Sequence, residues 1–134
     1  MPEQLPNALQ LREVKYGEKT TPERRRAVAE RLLADGRVAE ALDCFLILQD
    51  EDSIGRIRAL AIEEGRPVWL LMIARSERPI GADEWKRTGA AARAAGRLRE
   101  AWRCYSEAGD EAALDELKAE LPGYELWTPA GKDV

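Results

Sequence analysis

The sequence predicts an all-α fold in which helical hairpins are stacked into an array. One stretch occurs twice, because residues 34–45 return sixty positions later as residues 94–105 with Ala, Gly, Arg, Glu, Ala and Cys in register. Apolar residues recur at helical spacing, and no segment alternates with a period of two over the length of a strand. A repeated helix–turn–helix unit is typical of stacked arrays that present a binding surface.

The composition indicates a soluble domain and narrows its chemistry. The chain has 134 residues, of which 45% are hydrophobic and 34% charged, and this is enough for one buried core. It has no His, so it lacks the commonest general base and metal ligand. We therefore expect a protein that is not an enzyme, with no catalytic residues, no cofactor and no metal. The net charge of −4 disfavours nucleic acid and anionic membranes as partners.

The sequence shows neither the pattern of a signal peptide nor an apolar run long enough to span a membrane. At the N-terminus, no basic segment is followed by an apolar one, as it would be in a signal peptide. The longest apolar run, residues 68–74, has seven residues, against about 20 for a membrane span. These observations predict a cytoplasmic protein.

The first elements are an N-terminal arm and a helical hairpin. Residues 1–21 are polar and mixed, and either a short helix or an extended arm fits them. Thr21 can cap a helix whose first residue is Pro22, and Gly36 is a stop signal. The next helix carries its apolar residues on one face and ends at about Gln49.

Two further helices are predicted between the copies of the repeated stretch. Asp50 and the two acidic residues after it cap a third helix that ends at Gly65. They lack the ligand spacing of a calcium loop. Pro67 opens a fourth helix. Residues 68–74 are apolar nearly all round, which predicts a buried helix.

Three helices and a tail complete the chain. The fifth helix begins at residue 82 and is stopped by Gly96, the sixth covers about 98–108, and the seventh carries Leu121 and ends at Pro122. The helical domain therefore spans 22–121. The tail, 122–134, holds Tyr124, Leu126 and Trp127, and it forms either a strap over the end of the array or a docking peptide for a neighbouring subunit.

The second hairpin resembles a tetratricopeptide repeat. The residues that carry this resemblance are Trp85, Gly89, Gly96, Leu98, Glu100, Ala101, Tyr105 and Ala108. In such a hairpin Gly89 and Ala101 allow two helices to approach closely, and Gly96 takes the left-handed turn. The first hairpin keeps Ala29, Gly36, Val38, Glu40, Ala41 and Phe45.

The first hairpin also departs from the family pattern, because Arg25 stands where the Trp would be and the helices between residues 53 and 75 match no part of it. The resemblance implies a right-handed α-α superhelix of about seven short antiparallel helices, with the first helix of each hairpin lining a concave groove. Residues 11–37 and 75–103, which contain these first helices, carry net charges of +3 and +4. Residues 38–66 and 104–125 carry −4 and −6.

A mildly basic groove follows from the resemblance, and its candidate lining residues are Arg26, Glu30, Lys86, Ala90 and Arg93. Because Arg side chains suit carboxylates, we expect an acidic or C-terminal peptide in this groove. The alternative is that these charges form intramolecular pairs between neighbouring helices, each of small energy. Cys44 and Cys104 occupy equivalent repeat positions, and we expect both to be small buried apolar residues.

The predicted function is therefore a non-enzymatic adaptor that binds a peptide segment or an assembly partner. The alternative is a nucleic-acid-binding helical repeat protein that uses its basic first helices. Two recognisable repeats are fewer than the three or so usually needed for stability. The middle helices and the tail, or else a homodimer, must supply the remaining packing.

Overall fold

The computed structural model of the chain describes residues 6–17 and 20–121, and these residues form helices and no strand. The eight helices are α1 Ala8–Tyr16, α2 Pro22–Ala34, α3 Val38–Leu48, α4 Glu51–Glu64, α5 Pro67–Arg75, α6 Ala82–Ala94, α7 Leu98–Ala108 and α8 Glu111–Lys118. The all-α prediction is confirmed. The superhelical arrangement stays a prediction.

The described residues contain one helix more than the seven that were predicted. The additional helix is α1, which lies in the predicted arm, so a short helix is correct there and an extended arm is wrong. Asn7 caps α1, because its side chain accepts a hydrogen bond from the backbone N–H of Gln10 at 2.9 Å. The first part of the arm, residues 1–5, and the predicted tail, 122–134, lie outside the described residues.

The chain divides into two compact units, Met1–Ile57 and Arg58–Val134, with the boundary inside α4. In the first unit, α2 and α3 form the predicted hairpin. Thr21 caps α2, because its hydroxyl accepts a hydrogen bond from the backbone N–H of Arg24 at 3.1 Å. Gly36 has a φ of +80° and makes the left-handed turn between the two helices. The fully buried large side chains of this unit are Leu32, Leu42, Cys44, Phe45 and Ile57.

In the second unit, α6 and α7 form the same hairpin with an even closer contact. A Cβ atom added at Gly89 would lie 2.9 Å from Cε1 of Tyr105 and 3.1 Å from Cβ of Cys104. Gly89 therefore brings the two helices together, as the tetratricopeptide resemblance implies. Gly96 takes the left-handed turn with a φ of +79°. α8 packs on α7 through a buried cluster of Ala92, Ala101, Trp102, Tyr105, Leu114, Leu117 and Leu121.

Two predictions for the second unit are wrong. The helix that starts at Pro67 is not buried all round, because Val68 is 58% exposed and only Pro67, Leu70 and Ile73 are buried. An apolar composition alone does not tell which side of a short helix meets its neighbours. The last helix ends at Lys118, earlier than predicted, and Leu121 is buried in the turn that follows it.

The helix starts recur along the chain as two series of four, α1–α4 and α5–α8, at an offset of about sixty residues, which the sequence comparison did not reveal. α6 and α7 begin and end sixty residues after α2 and α3, and α8 begins sixty residues after α4. α5 begins and ends fifty-nine residues after α1. The two helices between the hairpins therefore also have counterparts, since α4 corresponds to α8 and α5 corresponds to α1. α4 closes the first series, and α5 opens the second.

Local hydrogen bonds repeat along with the helices. Arg37 donates to the backbone carbonyl of Pro6 at 3.1 Å, and Arg97 donates to the carbonyl of Gly65 at 3.4 Å. Each of these carbonyls lies just ahead of the first helix of its series. Both arginines also pair with the glutamate three residues later, at 2.6 and 2.7 Å. The same charged side chain therefore ties the start of each series to the turn of its hairpin.

Candidate functional site

The candidate residues of the first unit, Arg26 and Glu30, lie on the exposed side of α2. Arg26 and Glu30 are one helical turn apart, and both are exposed. Nε of Arg26 lies 3.3 Å from a carboxylate oxygen of Asp50, and a carboxylate oxygen of Glu30 lies 2.6 Å from the guanidinium of Arg56. Both candidate side chains are thus paired with residues at the start of α4.

Asp50 serves this pairing and the cap of α4 at the same time. One carboxylate oxygen accepts from the backbone N–H of Ser53 at 3.2 Å, and the other from its hydroxyl at 2.8 Å. Partial burial raises the pKa of Asp50, but the bonds from Ser53 and Arg26 outweigh it and hold this pKa below its usual value. The acidic run at this point is a helix cap, as predicted.

The candidate residues of the second unit lie on α6. Lys86 and Ala90 are exposed, whereas Arg93 is half-buried. Its guanidinium contacts two carboxylates, that of Glu116 in α8 at 3.0 Å and that of Glu120 in the turn after α8 at 2.7 Å. These two hydrogen bonds raise the pKa of Arg93.

The pairs show which of the candidate cations is open to a partner. Arg26 and Arg93 are each matched by internal carboxylates, as the intramolecular alternative expects. Lys86 makes no ion pair with any residue of the described ranges 6–17 and 20–121. It occupies the position in α6 that Arg26 occupies in α2, sixty residues earlier. The two sets of candidates therefore belong to the equivalent helix of each series.

Two exposed apolar side chains were not predicted from the sequence. Leu9 of α1 is 80% exposed and Val68 of α5 is 58% exposed. They occupy the second position of equivalent helices, fifty-nine residues apart. A comparison of the chain with itself at that offset would have paired them. Single exposed apolar side chains are common on protein surfaces, so these two do not by themselves define an interaction surface.

Thiol chemistry has no support in this structure. Cys44 and Cys104 are both free and buried, as predicted. Burial raises the pKa of Cys44 to about 11 and that of Cys104 to about 12, so both remain protonated thiols near neutral pH. Within the described part of the chain, no three His, Cys, Asp or Glu residues are grouped to hold a metal ion.

None of the helices described in the structure has the length and apolar character needed to cross a membrane. No protein-family model, curated protein or solved structure matches the chain. The candidate site therefore rests on the geometry of α2 and α6 alone.

Proposed function

We propose that the chain is a non-enzymatic protein–protein interaction module of the cytoplasm, built as a short tetratricopeptide-like superhelix. One observation carries this proposal, namely that α5, α6, α7 and α8 begin fifty-nine or sixty residues after α1, α2, α3 and α4. Helical repeats generally serve as extended scaffolds for binding, because equivalent helices present equivalent side chains to a partner. In this proposal the partner is a peptide segment or an assembly component, which binds through the concave face of the short helical repeat.

Of the three cations among the candidate residues, only Lys86 directly favours an acidic partner, because Arg26 and Arg93 already have internal partners. Lys86 offers a cation that has no competing carboxylate in the described residues. A partner carboxylate at Arg26 or Arg93 must exchange with Asp50, or with Glu116 and Glu120. Each exchange replaces one ion pair by another, so it changes the free energy little. Lys86 is therefore the charged residue on which the acidic preference depends.

Affinity capture with the tagged full-length chain tests this proposal. We expect a protein partner that is retained by the wild-type chain and depleted at least fivefold by Lys86→Glu. The matched control is Arg12→Glu on α1, an equal reversal of an exposed cation outside the candidate face. Equal capture by the wild type and Lys86→Glu would exclude the face. If the tagged chain instead retains nucleic acid, and both charge-reversed variants lose it at raised salt, the result would favour the nucleic-acid alternative.

A further inference from the structure

The guanidinium of Arg93 on α6 is occupied by two carboxylates of its own chain. Glu116 and Glu120 contact it through two different nitrogen atoms, at 3.0 and 2.7 Å. The Arg93 side chain is 29% exposed, so it also borders the solvent. A guanidinium binds carboxylates strongly, because it offers several donors in one plane. The two glutamates therefore use the donors that a carboxylate of a partner would need.

α8 does not depend on these two pairs for its place in the second unit. Leu114 and Leu117 of α8 are buried in the cluster through which this helix packs on α7. The side chains of Glu116 and Glu120 are 67% and 42% exposed, and exposed ion pairs contribute little to stability. Either glutamate can therefore leave Arg93 by a rotation of its own side chain while α8 stays packed.

Arg93 lies on the same side of α6 as Lys86, the candidate cation without an ion pair among the described residues. The two residues are seven positions apart, which is about two turns or about 10 Å along a helix. A partner that binds Lys86 through one carboxylate can therefore bring a second carboxylate to Arg93. Whether it gains this second contact depends on the two glutamates that are already there.

We propose that Glu116 and Glu120 are internal competitors for Arg93, so that an acidic partner gains this cation only by displacing them. The inference rests on the proposed function, because it assigns a regulation to the same candidate face. The affinity for an acidic partner is then lower than Lys86 and Arg93 together would give. Any change that neutralises the two glutamates should raise it.

Fluorescence anisotropy with a labelled octa-glutamate peptide, at one fixed ionic strength, tests this competition. We expect Glu116→Gln combined with Glu120→Gln to raise the affinity of the full-length chain for the peptide at least fivefold. The matched control is Glu111→Gln combined with Asp115→Asn, which removes the same charge from α8 but no carboxylate that pairs with Arg93. The control should raise the affinity no more than twofold, through the change in net charge alone.

Arg93→Gln shows whether the gain arises at this residue. It should remove the gain when added to the double glutamine variant, and it should weaken binding less in the wild type, where Arg93 is already occupied. Equal gains in the double variant and its control, or a gain that survives Arg93→Gln, would overturn the inference. The two pairs would then only tie α6 to α8, as Glu30 and Arg56 tie α2 to α4.

Lys86→Glu separates a failure of this inference from a failure of the proposed function. If Lys86→Glu weakens peptide binding but the double glutamine variant shows no gain, the competition is overturned and the candidate face stands. If Lys86→Glu binds the peptide as well as the wild type does, the candidate face itself is excluded. Binding of the peptide by none of the proteins would overturn both.

Discussion

At the scale of single residues, the two units satisfy the same backbone carbonyls with different side chains. Arg25 of α2 donates to the carbonyls of Val14 and Gly17 at 2.8 and 3.0 Å, at the end of α1. In the second unit the buried Trp85 stands at the position of Arg25. There the hydroxyl of Ser76 donates to the carbonyl of Ile73, which is the equivalent of Val14, at 2.5 Å. The departure of Arg25 from the tetratricopeptide pattern thus has a physical reason, because it holds α1.

Arg25→Met removes both donors and keeps an apolar stem of similar length. Hydrogen bonds from a charged donor contribute about 1.5–3 kcal/mol, so we expect the free energy of unfolding to fall by about 2 kcal/mol in urea titrations. Amide exchange should accelerate in α1 more than in α3. Arg12→Met, on the exposed side of α1, should change neither quantity. An Arg25→Met variant as stable as the wild type would show that the bonds do not hold α1.

Two helical glycines should respond in opposite directions to alanine. Gly89→Ala places a Cβ 2.9 Å from the buried Tyr105 ring, and such overpacking costs about 1–3 kcal/mol against a gain in helix propensity of about 1 kcal/mol. Gly55→Ala meets no atom within 4 Å and should stabilise the protein by up to about 1 kcal/mol. Thermal unfolding monitored by circular dichroism measures both. A stabilised Gly89→Ala would contradict the close contact of α6 and α7.

At the scale of elements, local signals in the sequence predicted the helix starts and turns well. Thr21, Asp50 and the glycines at 36 and 96 act where they were predicted, because capping and left-handed turns depend on neighbours in the chain. The exposure of Val68 on α5 could not be predicted, because it depends on which helices pack around α5. The charges on α2 and α6 were predicted, but their internal partners were not, since those depend on tertiary contacts.

The tie between α4 and α6 in the second unit should make stability depend on pH. Arg58 donates to both carboxylate oxygens of Glu84 at 2.7 and 2.6 Å, and these bonds lower the pKa of Glu84 from 4.5 to about 2. A lowered pKa in the folded state stabilises the protein above the unfolded value, and this contribution is lost as the pH falls from about 5 towards 2.

Glu84→Gln tests this dependence. Because the pair is partly exposed to solvent, we expect the wild type to be more stable than Glu84→Gln by only about 1 kcal/mol at pH 7. The difference should shrink steadily below pH 5 and vanish near pH 2. Urea titrations of both proteins across this range give the measurement. A difference that does not change with pH would show that the charge of Glu84 contributes nothing.

At the scale of the whole molecule, the starts of four helices recur fifty-nine or sixty residues later, and the sequence predicted this recurrence only for the two hairpins. The hairpins α2–α3 and α6–α7 keep recognisable residues, because close helix approach tolerates few side chains. α1 and α5 retain the same bounds but few of the same residues. A helix that packs with one side only is specified by its apolar spacing, which many sequences satisfy.

The candidate residues lie on α2 in the first unit and on α6 in the second, and these two helices begin sixty residues apart. Arg26 and Lys86 hold the same position in the two helices. Arg26 is paired with Asp50, whereas Lys86 has no ion pair with any residue that the structure describes. An acidic partner should therefore depend more on α6 than on α2. Salt should weaken its binding, because exposed charges are screened within about 10 Å at 0.1 M ionic strength.

The most direct test of the proposed binding face is the affinity of the captured partner for the full-length chain and its Lys86→Glu and Arg12→Glu variants, measured by calorimetry. The proposed interaction module predicts that Lys86→Glu weakens binding about tenfold, as expected for a charge-assisted contact of about 1.4 kcal/mol, and that Arg12→Glu leaves it unchanged. Equal affinity of all three proteins, or equal losses in both variants, would contradict it.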